Sequence, residues 1–113
     1  MTKYLISFPS AAMVLTEDEL RDAARDAHAV LRAAKDAGVW VFGGGLDESV
    51  PPVMVDEVGN VTEGTYPQTT TIEGGYAVLE LPSRQAAVEW AARFAAACRC
   101  AQEVREFMYD PES

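Results

Sequence analysis

Basic residues are scarce in this sequence. Its 113 residues hold 9 Lys and Arg against 18 Asp and Glu, a formal net charge of -9. A nucleic-acid surface needs a clustered basic face to neutralise phosphates, and here the few cations are interleaved with acids, so nucleic acid is excluded as a partner. Long apolar runs are also missing. None approaches the roughly 18 residues that a membrane-spanning helix requires, so no such span is expected. The opening "MTKYLISFPS" has one lysine and a short apolar run but no long hydrophobic segment or small-residue cleavage site. It reads as a strand and not as an export signal, and the expected location is the cytoplasm.

Ligands for a metal are equally few. The chain has one histidine, His28, and two cysteines, Cys98 and Cys100. A tetrahedral zinc site needs four ligands, and no second Cys pair is present, so no metal is expected. A Cys-x-Cys disulfide would strain its short loop. Cys98 reads as a small buried residue and Cys100 as a bystander. The run "FGGGL" invites a phosphate-loop reading but lacks the Lys and Ser/Thr of that motif. It ends a strand without opening a helix, so the dinucleotide fingerprint fails too, and no cofactor is expected.

What remains is the composition of a folded protein, with 49% hydrophobic and 24% charged residues. The length suits one domain, residues 1–113, around a single modest core. Tyr4, Ile6 and Phe8 alternate with Leu5 and Ser7, which predicts an opening strand that Pro9 ends. From Thr16 the period becomes helical: Thr16 and Glu19 form a capping box, Gly38 stops the helix, and Leu20, Ala24, Ala27, Leu31 and Ala34 are expected on its apolar face. "VWVFGGGL" predicts a second strand. "VMVDEVGNVTEG" predicts a hairpin turning near Gly59-Asn60, a pair that tolerates positive φ. "YAVLEL" predicts a further strand, and Pro82-Ser83 opens a second helix with Ala87, Trp90, Ala91, Phe94 and Cys98 on one face. "EVREFM" predicts a closing strand, followed by a loose tail.

This order is βα, then strands, then αβ. It predicts an α+β, ferredoxin-like βαββαβ domain with an added hairpin and with both helices on one sheet face. The strands carry apolar residues on both sides, so the other face also needs a cover. A second copy of the chain supplies it economically, and a homodimer is expected.

Several motifs resemble the YCII-related proteins, in particular the branch named for its Asp-Gly-Pro-Phe (DGPF) motif. Glu63-Gly64-Thr65-Tyr66 stands at that motif's place, Gly74-Gly75-Tyr76 closes the same loop, "AAVEWAARFAAA" matches the following helix, and "GVWVFGGGL" matches the glycine-rich strand. The resemblance spans nearly the whole chain and implies a dimeric α/β barrel. Only the glycine of the motif is kept: Glu63 replaces Asp, Thr65 replaces Pro, Tyr66 replaces Phe, and Gln68 and Thr70 occupy the acidic and lysine positions that usually follow. The segment "RDAH" resembles the Arg-x-x-His segment of the wider family, where a histidine paired with an aspartate has been taken as an active site. That implies His28 and Asp47 as the catalytic candidates here.

His28 is the only side chain of a type that ordinarily titrates between pH 5 and 8, and the helical wheel places it on the rim of the apolar stripe. Gly44, Gly45, Glu63, Gly64 and Tyr66 are the candidate pocket-loop residues. Two classes of function stay open. One is a His28-centred pocket that binds a small organic molecule or moves a proton on it. The other is a non-catalytic dimeric module that senses a ligand or docks on a protein.

Overall fold

The computed structural model describes residues 1–69 and 72–113. Thr70 and Thr71 lie outside them. Six strands and two long helices follow one another: β1 (Thr2–Phe8), α1 (Glu17–Asp36), β2 (Trp40–Gly45), β3 (Val53–Val55), β4 (Val61–Glu63), β5 (Gly75–Leu81), α2 (Arg84–Cys98) and β6 (Glu103–Glu106). Four strands form one antiparallel sheet in the order β2-β5-β1-β6, while β3 and β4 pair only with each other. This is the ferredoxin-like arrangement with a hairpin inserted between its second and third sheet strands.

The central pair β1/β5 runs from Thr2↔Leu81 to Phe8↔Gly75 without a break. Directly opposed residues share a sheet face. Tyr4, Ile6, Leu79 and Leu81 therefore point together, and they cluster with Ala34 of α1 and with Ala87, Ala91 and Phe94 of α2. Both helices thus cover one face. The opposite face carries the row Phe42, Val78, Leu5. No helix covers it, and Phe42 is 70% exposed.

The helices begin as the sequence dictates. Thr16 and Glu19 exchange both capping-box hydrogen bonds, and Ser83 Oγ accepts from the Ala86 amide at 3.1 Å. The apolar stripe of α1 is rotated from the expected one. Ala23 and Ala34 are buried and Val30 packs on the core, whereas Leu20 and Ala24 are exposed. Small side chains at 23 and 34 let α1 lie close against the alanine-rich α2, so the larger Leu31 is turned to the helix edge.

At the end of α2 Arg99 adopts the left-handed conformation (φ 58°), where glycine is the usual helix terminator. Its guanidinium donates to the Ala97 carbonyl and pairs with Asp26 of α1 at 2.9 Å, tying the two helices together. The hydrogen bond from Arg99 is the main reason that the Asp26 carboxyl lies below its ordinary range.

The glycines of β2 have a packing role. An extra residue in β2 between Trp40 and Phe42 shifts the register against β5. Such a bulge bends and re-aims its strand. The Trp40 indole then folds back over Gly43: a Cβ built there would sit 2.7 Å from Trp40 Cζ2. Across the sheet a Cβ on Gly75 would sit 2.7 Å from the Phe8 ring. Trp40 also meets the Phe94 ring, centroid to centroid, at 6.3 Å.

Two outcomes follow. Gly43→Ala should displace Trp40 and destabilise the fold by about 1–3 kcal/mol, the usual cost of overpacking, seen as a lower urea midpoint with altered tryptophan fluorescence. Because the Asp26 carboxyl is lowered on folding, its contribution is present above the unfolded aspartate value of about 3.9 and is lost as pH falls through the lower folded value. Urea midpoints measured from about pH 5 down to about pH 2 should therefore fall less steeply in Arg99→Gln than in the parent chain.

Candidate functional site

A cleft of about 380 Å³ opens between the sheet and the two helices, at the end where β1 and β2 finish and β5 begins. Side chains are sparse on that part of the sheet. Gly43, Gly45 and Gly75 follow one another on the helix-facing side of β2 and β5, so the sheet supplies bare backbone where other proteins would supply a core. The walls are apolar: Ile6 and Phe8 from β1, Leu31 from α1, Trp40 from β2 and Phe94 from α2. His28 of α1 and Glu48 of the loop after β2 also line it.

His28 reaches the cleft because it shares one helix edge with Ala27 and Leu31. The stripe rotation that buries Ala23 and Ala34 aims this edge over the open end of the sheet. Two arginines of the same helix pair with acids: Arg21 with Asp18 at 2.7 Å, and Arg25 with Asp22 at 3.4 Å and Asp26 at 3.5 Å.

Asp47 does not line the cleft. Its Oδ1 accepts from the Ser49 hydroxyl at 2.6 Å and from the Ser49 amide at 3.0 Å, which holds its carboxyl below the ordinary range and shapes the turn after β2. The neighbouring Glu48 lines the cleft instead, and its Oε1 accepts from Ser10 Oγ at 3.0 Å. Ser10 belongs to the 3-10 turn Ser10–Ala12 that follows β1. The structure therefore brings His28 to the same cleft as Glu48, one residue beyond Asp47.

The loop residues divide in two. Gly44 and Gly45, with Gly74, Gly75 and Tyr76 at the loop's close, line the cleft. Glu63 ends β4, while Gly64 and Tyr66 line a separate hollow beside Pro52, Met54 and Thr69. Within the described part of the stretch, Gly64–Tyr66 and Thr69 thus border the hairpin's hollow, and Gly74–Tyr76 line the cleft. Thr70, at the position where a lysine is usual, lies outside the described residues.

Reading the sequence missed Glu48, Phe8, Trp40 and Gln102 as cleft residues. None carries a periodic or motif signal toward it. Trp40 is aimed by the bulge, and Gln102 donates to the Cys100 carbonyl at 3.3 Å. Among the described residues no group of three or more His, Cys, Asp or Glu could hold a metal ion. No helix among them is long and apolar enough to cross a membrane.

The fold and cleft define an α+β ferredoxin-like protein with a ligand-sized hollow between its helices and sheet. Residues 2–108 match the YCII-related domain, and the chain belongs to that family. The fold is also that of 5-chloro-2-hydroxyhydroquinone dehydrochlorinase (TftG) from Burkholderia phenoliruptrix AC1100, whose structure holds 2,5-dihydroxybenzoquinone. That chain is 15% identical, each chain is covered over 97% of its length, and the TM-score is 0.50. At this identity the likeness is one of fold. No curated protein matches the sequence at a significant level.

Cys98 lines the cleft from α2, and burial pushes its thiol up from the ordinary value. The thiolate is the reactive form, so alkylation of the folded protein at neutral pH should label Cys98 at least about tenfold more slowly than the urea-unfolded chain. Peptide mass spectrometry reads both rates.

Proposed function

We propose that the cleft binds a small, flat organic molecule bearing hydroxyl or carbonyl groups, and that His28 moves a proton to or from it. The carrying observation is the placement of His28 and Glu48 on a cleft otherwise walled by Ile6, Phe8, Leu31, Trp40 and Phe94. Apolar and aromatic walls with a few convergent polar groups are the usual make-up of a small-ligand site. Its volume of about 380 Å³ accommodates a single ring with substituents. The ring faces of Trp40 and Phe94 favour a planar ligand.

The two protonic groups take different roles in this reading. Imidazole is the commonest general acid or base near neutral pH. Glu48 has one carboxylate oxygen on Ser10 and keeps acceptor capacity for a ligand hydroxyl. It anchors the molecule while His28 takes or returns the proton. The fold match to a protein holding a dihydroxylated quinone is in keeping with such a ligand.

The uncovered sheet face supports a homodimer. Phe42, Val78 and Leu5 form an apolar row on the side away from the helices. A second copy, packed face to face about a two-fold axis, buries that row and completes a dimeric α/β barrel.

A non-catalytic sensing role is favoured by one observation, the exposure of His28 on the helix rim. Two measurements on a panel of small hydroxylated aromatics and quinones, including 2,5-dihydroxybenzoquinone, separate the readings. A bound ligand should raise the melting temperature, because only the folded chain binds it. Exchange of ligand carbon-bound protons with deuterated solvent, followed by NMR, should be faster with the wild type than with His28→Gln by about 10²–10⁴-fold. Stabilisation without exchange would leave a sensing module, and a panel that stabilises neither protein would overturn the pocket reading.

A further inference from the structure

The hairpin β3/β4 stands apart from the rest of the molecule. Its strands are three residues each, and they pair with each other and not with the four-stranded sheet. An isolated two-stranded hairpin is marginal in water. The turn of this one is nevertheless firmly built: Asp56 Oδ1 accepts from the Val58 amide at 3.0 Å and the Asn60 amide at 2.8 Å, and the Asp56 amide donates to the Asn60 carbonyl at 3.0 Å. These bonds, chiefly that from Asn60, hold the Asp56 carboxyl below its ordinary range.

Its two faces differ. Met54, opposite Thr62, is half-buried against the loop that carries Tyr66. The other face presents Val53 (56% exposed), Val55 (63%) and Val61 (62%), with Glu63 opposite Val53 at its base and Val58 (75%) at the tip; Val53 and Val55 also border the hollow beside Tyr66. Valine at alternate strand positions is the pattern of a strand face that packs on something. Among the described residues, β3 and β4 form no ladder with the four-stranded sheet.

We propose that the hairpin is an arm that lies on a second copy of this chain and adds its valine face to the dimer interface. The inference rests on the dimer reading given above, and area argues for it. Four strands at about 4.8 Å spacing and about 3.3 Å per residue give the open sheet face a flat footprint on the order of 400 Å². A stable interface takes about 800 Å² of accessible surface from each partner, more than a flat patch of that size supplies by itself.

The arm supplies more surface at a connected place. It leaves the end of β2 and returns to the start of β5, the strands that hold Phe42 and Val78 on the open face. The chain is also over-extended for its length. Its radius of gyration is 15.7 Å, against about 13 Å for a compact domain of this size, and it measures 42 × 42 × 20 Å. A flat protomer with a projecting arm has the shape of half an assembly. In a two-fold pair each arm reaches the other copy, so the contact closes and does not propagate.

Sedimentation velocity over about 1–100 µM, a range that brackets micromolar dimers, tests this with the full chain and with the double variant Val55→Lys, Val61→Lys. Neither residue belongs to the main core, so circular dichroism should keep the helical signal. The expected result is a wild-type dimer whose dissociation constant rises at least about tenfold in the variant. A wild-type dimer that the variant matches would overturn the arm and leave the dimer standing. A monomeric wild type throughout would overturn both.

Amide hydrogen exchange on the wild type needs no variant. Protection of the 53–63 segment should rise as the dimer fraction rises, and protection independent of dimer fraction would overturn the arm.

Discussion

The aromatic rings laid over side-chain-free backbone at one end of the sheet shape most of what this protein has. Trp40 folds onto Gly43, and Phe8 lies against Gly75. Each glycine is fixed by the ring above it: a Cβ would occupy the ring's place. The glycines add no side chain beneath the rings, and at that end a cleft remains between the helices and the sheet. The same Trp40 reaches Phe94, so the wall of the cleft is continuous with the core that holds α2.

The glycine run also lies in a setting unlike that of a phosphate loop. A phosphate loop offers amides at a helix start, where the dipole adds to them. Here the run is strand, and the amides of Gly43–Gly45 lie along the ladder with β5. The polar side chains of the cleft stand at its sides: His28 on the helix edge and Glu48 braced by Ser10.

The fold was legible where local and tertiary forces agree. The caps at Thr16 and Ser83, the strand alternation of β1 and the turn at 56–60 are set by neighbours in sequence, and they form as the residues require. The stripe of α1 was legible only approximately. Alanines score weakly in any apolar pattern, yet close packing against an alanine-rich partner selects Ala23 and Ala34 over Leu20. The choice of Asp47 shows the same limit. Adjacent acids look alike in sequence, but Asp47 turns back on Ser49 and the next residue faces the cleft.

By itself the sequence determined the order of elements, the ferredoxin-like topology, the absence of a clustered basic face and the position of the sole histidine on a helix rim. These depend on periodicity, caps and charge, which act within a few residues. Tertiary structure decided the rest: which carboxylate lines the cleft that His28 lines, that Gly74–Tyr76 and not Gly64 or Tyr66 meet the cleft, and that β3 and β4 stand outside the sheet. Each of these turns on a contact between residues distant in the chain, such as Ser10 with Glu48 or Trp40 with Phe94. No local pattern encodes such contacts, because the bulge and packing that make them exist only once the sheet has assembled.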